Sequence, residues 1–149
     1  MKPKSPSCAG CPAQPWGLSY VRPKGPSTAA LAFIGQGPGK REAYTGIPFV
    51  GPSGTMLDSW CRAAKVDPRD AYFDNIVRCW LPKHKNPVPT GNRSPTVAEV
   101  QFCWQRHGRP ALVAVNPTLA FAVGVPSAST LLGRKATAGM AGNVFEVTL

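Results

Sequence analysis

The sequence contains no apolar run approaching the roughly 18 residues that a membrane-spanning helix needs, so no membrane association is expected. It does not open on an apolar stretch either. Met1 to Ser7 is polar and Pro-rich, without the h-region of a secretory signal. The expectation is a cytoplasmic, reducing compartment, in which five Cys are metal ligands or core thiols before they are disulfides. Carboxylates are scarce: 7 Asp plus Glu stand against 17 Lys plus Arg, for a formal charge of +10. Such a surplus suits a polyanionic partner through release of condensed counterions, though an ordinary basic protein carries the same signature. Histidines number two, and both His84 and His107 read as surface residues.

What is abundant is Pro (17) and Gly (15), so loops take a large share of the chain. At 149 residues the length suits one domain, residues 1–149, with its own core and no internal repeat. Residues 1–28 read as irregular. Ala29 to Gly35 is an apolar run closed by Gly, the pattern of a buried strand. Gln36 to Pro52 is too rich in Gly and Pro for regular structure and reads as a long functional loop. The spacing of Met56, Leu57, Trp60, Cys61 and Ala64 predicts a helix over 53–65 with those residues on one face. Ala71 to Val77 reads as a second strand and Leu81 to Pro95 as a basic loop. The capping box Thr96-Val97-Ala98-Glu99 starts a helix expected to run to about His107. Ala111 to Val115 reads as a third strand, Pro117 to Gly124 as a helix, Ser127 to Leu132 as another, and Asn143 to Leu149 as a fourth strand. This alternation predicts an α/β fold with a mainly parallel sheet.

Three groups of residues carry chemistry. Cys8 and Cys11 form a C-x2-C turn. With Cys79 and Cys103 they supply the four thiolates that either zinc or an iron–sulfur cluster takes; spacing does not separate the two. Cys61 reads as an apolar core thiol. The Gly-rich segment 35–39, continuing through 46–54, leaves the C-terminal end of a strand, where open α/β sheets place ligands. Phe49 within it offers an aromatic face to a base. Asn75 lies near the end of the next strand, with a donor and an acceptor that match O4 and N3–H of uracil and oppose the pattern of cytosine. Lys83, Lys85, Arg78 and Arg93 are candidate phosphate contacts.

Taken together and in order, these segments resemble the family 4, iron–sulfur uracil-DNA glycosylases. Gly35 to Gly39 with Glu42 resembles the family's first motif, and Gly46 to Gly54 its Gly-x-Pro-Phe-Val-Gly-x-x-Gly. Asp74 to Cys79 resembles Thr-Asn-Val-Val-Lys-Cys. Asn92, Arg93, Pro95, Glu99 and Cys103 match Asn-Arg-x-Pro-x-x-x-Glu-x-x-x-Cys. The resemblance implies a three-layer α/β/α domain around a four-stranded sheet, acting as a monomer on uracil-containing DNA. It implies a 4Fe–4S cluster on Cys8, Cys11, Cys79 and Cys103. Phe49 would stack on flipped uracil, Asn75 would read its edge, and Gln36 and Gly37 would line the pocket and position water. The sequence departs from the pattern at Gln36, where the family has Glu, at Asp74, where it has Thr, and in ending before a His-Pro-Ser motif. The implied expectation is a C-terminally truncated domain with weak or lost activity. Two other classes stand beside it: an inactive iron–sulfur DNA-binding module and a zinc-stapled basic interaction domain.

Overall fold

The structure, a computed structural model, describes residues 8–84 and 86–148. A first strand, β1 (Leu18–Tyr20), precedes β2 (Leu31–Gly35). The helices α1 (Lys40–Thr45) and α2 (Pro52–Ala63) follow, then β3 (Tyr72–Asn75) and β4 (Cys79–Trp80). Next come α3 (Val97–Cys103) and α4 (Arg109–Val115), β5 (Leu119–Ala122) and α5 (Val125–Leu132).

The central sheet has the order β3-β2-β5, all parallel. Side chains alternate across β2. Ala32 and Ile34 face a core built with Tyr72, Ile76, Trp104, Leu112 and Leu131. Phe33 faces the other side, against Leu57, Cys61, Ala71 and Phe73. The register sets Phe33 opposite both Phe73 and Phe121. The three rings stack across the sheet at centroid separations of 5.2 and 4.9 Å. With α2 on one face and α4 and α5 on the other, the layers are α/β/α, as expected. β1 and β4 pair antiparallel in a separate ribbon.

Several expectations are corrected. The sheet has three strands among the described residues, not four. Ala111 to Val115 is helix. A π-helical segment, Trp104–Gly108, joins α3 to α4, so the helix runs through Gly108 and Pro110 instead of stopping there. Pro110 lies just past the π segment, in the first residues of α4. Asn116, left-handed at φ 49°, ends it. The third parallel strand is β5, inside the segment read as the helix from Pro117 to Gly124. Asn143 to Thr148 forms no strand, and Val144 is 83% exposed. Leu149 and Lys85 lie outside the described residues. The loop 36–52 contains α1. On α2, Leu57 and Cys61 are buried as expected, whereas Met56, Trp60 and Ala64 are exposed.

The capping box at Thr96 forms as the sequence predicts. Thr96 Oγ1 accepts from Glu99 N, and Glu99 Oε2 accepts from Thr96 N at 2.7 Å. The same carboxylate takes a two-pronged contact from Arg93, at 2.8 and 2.6 Å. Arg93 therefore holds the Glu99 carboxyl below its ordinary value of 4.5. Glu99 is buried while Arg93 is partly exposed, so the loss is that of charge-assisted hydrogen bonds. Glu99→Gln is therefore expected to lower unfolding free energy by roughly 2 kcal/mol at neutral pH. Because the folded-state pKa is depressed, this stabilisation is complete above the ordinary value and disappears as pH falls through the folded one. Denaturant titrations of both proteins should converge in acid.

Candidate functional site

The sheet register places Gly35 directly beside Asn75 at the C-terminal ends of β2 and β3. A Cβ built on Gly35 would sit 2.5 Å from Asn75 Oδ1 and 2.7 Å from Phe49 Cζ. The amide and the ring thus meet over a residue without a side chain, and any other residue at position 35 would push them apart. Asn75 is 5% exposed and Phe49 is half-buried, its ring 5.6 Å from that of Phe73. Phe49 is also one of the non-glycine residues with positive φ, at 56°. A bulky residue in that region is strained by on the order of 1 kcal/mol or more. It is held there from below: Gly54, in the first turn of α2, lies flat against the Phe49 carbonyl, leaving no room for a Cβ.

The two Gly-rich segments are tied by one carboxylate. Glu42 accepts from Gly39 N at 3.0 Å through Oε2 and from Gly51 N at 2.9 Å through Oε1. It therefore fixes the loop leaving β2 to the loop that carries Phe49. The sequence reading noted Glu42 only as a motif match; the signal for its role is the Gly39-x-x-Glu42 spacing of a capping box. Glu42→Ala should strand two backbone donors and cost roughly 2 kcal/mol of stability. Glu42→Gln, which keeps one acceptor, should cost about half as much. Equilibrium unfolding of the two variants checks this.

Gln36 and Gly37 stand elsewhere. They line a cavity of about 200 Å³ with Pro38, Val77, Asn92 and Arg93, which neither Phe49 nor Asn75 enters. The structure therefore groups the expected site residues as two adjacent pairs, one on each side of the Gly35–Gln36 peptide. A larger open cleft, about 820 Å³, lies at the opposite end of β3 beside Lys24, Arg62 and Arg69 and contains none of them.

Two of the expected phosphate contacts are corrected. Arg78 is 6% exposed and points inward at Asp74, with Nη2 to Oδ2 at 2.5 Å. Arg93 is engaged by Glu99. Lys83 remains exposed, and Lys85 lies outside the described residues. His84 is exposed as expected, but His107 is buried. The π segment turns His107 inward, with Nδ1 3.3 Å from Tyr20 Oη and Nε2 3.6 Å from Cys8 Sγ. Burial holds this imidazole below its ordinary pKa, with help from the Arg78 and Arg106 charges.

All five cysteines are thiols, not disulfides. Cys103, Cys11 and Cys79 share a small core with Ala13, Val77 and Leu81. Burial, with smaller contributions from nearby Cys11 and Cys8, pushes the Cys103 thiol up to about 11 against the opposing pull of Arg78. Cys103 Sγ accepts from Arg78 N at 3.3 Å. Gly17 packs against Cys79, since a Cβ there would fall 2.7 Å from Sγ. Cys61 sits apart in the Phe33 core, as its sequence context predicts. Among the described residues, no three of His, Cys, Asp or Glu are grouped to hold one metal ion.

A family model of the uracil DNA glycosylase superfamily matches residues 22–148. Three proteins, each named as a type-4 uracil-DNA glycosylase, are similar to the chain. That of Thermotoga maritima is 34% identical over 55% of this chain and 43% of its own length. That of Archaeoglobus fulgidus is 30% identical over 79% and 55%. That of Pyrobaculum aerophilum is 28% identical over 87% and 63%. The chain thus spans about half the length of the curated relatives it matches. No helix among the described residues is long and apolar enough to cross a membrane.

Proposed function

The chain belongs to the uracil DNA glycosylase superfamily, and on that footing we propose that it recognises uracil flipped out of DNA and hydrolyses its N-glycosidic bond, as a type-4 enzyme of base-excision repair. The observation that carries this reading is the meeting of the Phe49 ring and the Asn75 amide over Gly35. Phe49 stacks on the uracil ring, offsetting the few kcal/mol that extrusion from the helix costs. Asn75 donates from Nδ2 to uracil O4 and accepts N3–H at Oδ1. Cytosine presents the reverse pattern and is rejected by an amide that is held in one orientation.

In the reaction, the bond between C1′ and N1 breaks with its electron pair on the uracil ring. Water adds to the oxocarbenium-like C1′, and the proton it loses passes through solvent to the departing uracil anion, which leaves as neutral uracil. Gln36 and Gly37 line the adjoining cavity, and that water reaches C1′ from their side of the Gly35–Gln36 peptide. Because neither is a carboxylate, the rate rests on stabilising the departing anion rather than on a base.

Cys8, Cys11, Cys79 and Cys103 are the residues that would hold a 4Fe–4S cluster. The donor set fits it: four thiols, a backbone N–H directed at Cys103 Sγ, and Gly17 making room at Cys79. Such a cluster takes one thiolate per iron, a wider spread than the ligands of a single ion. When bound, it supplies a structural cross-link between the N-terminal turn, β4 and α3.

The cavity beside Gln36 is lined by neither carboxylate nor imidazole. That favours, as a second reading, recognition of uracil in DNA without excision. A uracil-release assay on single-stranded and duplex oligonucleotides, run beside a binding assay on the same DNA, separates the two. Release of uracil with formation of an abasic site is the expected outcome. Selective binding without release selects the second reading, and no preference for uracil in either assay overturns both.

A further inference from the structure

A buried ion pair costs desolvation, and apolar residues of equal volume often stabilise a core as well or better. Asp74 and Arg78, at 2% and 6% exposure, form such a pair directly beside the base-reading Asn75. Burial pushes the Asp74 carboxyl above its ordinary range, against the hydrogen bonds and charge of Arg78 that pull it down. Their geometry accounts for the pair where stability does not.

Asp74 Oδ1 accepts from the backbone N–H of Asn75 at 2.8 Å and from Arg78 Nε at 2.9 Å. Asp74 Oδ2 takes Arg78 Nη2, and Tyr72 Oη at 3.3 Å. The remaining guanidinium donors reach outward from the sheet. Nη1 donates to Tyr20 Oη at 3.0 Å, and Nη2 to the His107 carbonyl at 3.1 Å. His107 lies in the π-helical segment, where a widened turn turns backbone groups toward partners other than the helix itself. The backbone N–H of Arg78 ends on Cys103 Sγ. One residue therefore touches the end of β3, the β1 ribbon, the π segment and a thiol of the sulfur shell.

We infer that Asp74 and Arg78 are a positioning pair for uracil recognition: they lock the peptide that presents Asn75 and couple its orientation to the thiolate shell at Cys103. The inference rests on the reading of Asn75 given above. Lys at position 78 keeps the charge but loses the planar fork, so it cannot hold Asp74, Tyr20 and the His107 carbonyl at once.

The test compares affinity for a single-stranded oligonucleotide carrying one uracil with the same strand carrying cytosine. It uses the wild-type chain, Arg78→Lys, and an apolar double variant, Asp74→Leu with Arg78→Met. Thermal stability and visible absorption of the thiolate-bound cluster are recorded for each. The wild-type preference for uracil is expected to fall about tenfold in both variants, the scale of coupling between contacting residues. Arg78→Lys should still fold and keep its visible absorption. A variant that folds and retains full uracil preference overturns the inference alone. Should the double variant fail to fold, Arg78→Lys decides by the same criterion. A wild-type chain with no preference removes the Asn75 reading, and the inference with it.

Discussion

Substituting Asn75 by Ala is expected to reduce uracil release by on the order of a hundred-fold or more, with little change in melting temperature. The magnitude follows from removing one preorganised donor that faces developing negative charge. The split between activity and stability follows from the position. Asn75 closes β3, so the ladder to β2 is already complete at that residue. Its backbone N–H is held by Asp74, not by its own amide. Truncating the side chain removes the group proposed to read the base and leaves the strand in place. Phe49→Ala tests the same corner from the other side, but it also changes the positive-φ strain at residue 49, since Ala is less bulky yet still disfavoured there. Asn75 is therefore the cleaner probe.

Loss of a thiol at the sulfur shell is the second large effect. Cys103→Ala is expected to abolish the visible absorption and iron content of the purified chain, and to unfold the N-terminal turn with β4. Structural metal sites supply on the order of 10 kcal/mol to folding, far more than any single contact described above. Cys103 is the buried member of the set, with its Sγ receiving the Arg78 N–H. As an unligated thiol it is pushed up to about 11 by burial, so loading must expel a proton, and acid must favour release of the inorganic centre. Cys61→Ala is the control. It lies in the Phe33 core and should leave iron content unchanged while costing only packing. A colourless chain that binds zinc through the same four thiols would contradict the cluster reading.

The parts of the fold read correctly from sequence are those in which local pattern and tertiary need agree. β2 is an apolar run ended by Gly, β3 lies within the segment Ala71 to Val77 read as a strand, and the Thr96 capping box forms with both of its hydrogen bonds. The errors share one cause: Gly and Pro punctuate a sequence only when the surroundings let them. The sequence predicts a helix ending near His107 and a strand over 111–115, yet the π segment carries the helix past Gly108 and Pro110, and that apolar run is α4. The strand then fell on Leu119–Ala122, where Pro117 and Gly124 bracket a segment that reads equally well as a helix. Its placement is decided by Phe121 stacking on Phe33, a contact between residues far apart in the chain. Short helix α1 was hidden within a Gly-rich loop because its stabiliser, Glu42, works mainly by bridging to Gly39 and Gly51.

At the proposed site, residue type and order single out Asn75, Phe49 and the cysteines as candidates, because chemistry restricts which side chains suit those roles. Direction was not legible. A positive charge in a basic chain reads as a phosphate contact, and nothing local says that Arg78 turns inward to Asp74. His107 reads as a surface residue for the same reason: burial by Tyr20 and Cys8 comes from residues 87 and 99 positions away in the chain. Nor does sequence order reveal that Gln36 and Gly37 face a different cavity from Phe49 and Asn75.

Nitrogen-15 NMR of the chain titrated with a short single-stranded oligonucleotide bearing one uracil reports on that corner directly. Uracil-dependent shifts are expected at the Asn75 side-chain amide and the Gly35 backbone, absent when cytosine takes its place. Shifts confined to the basic surface, identical for both bases, would contradict the claim that this corner reads uracil.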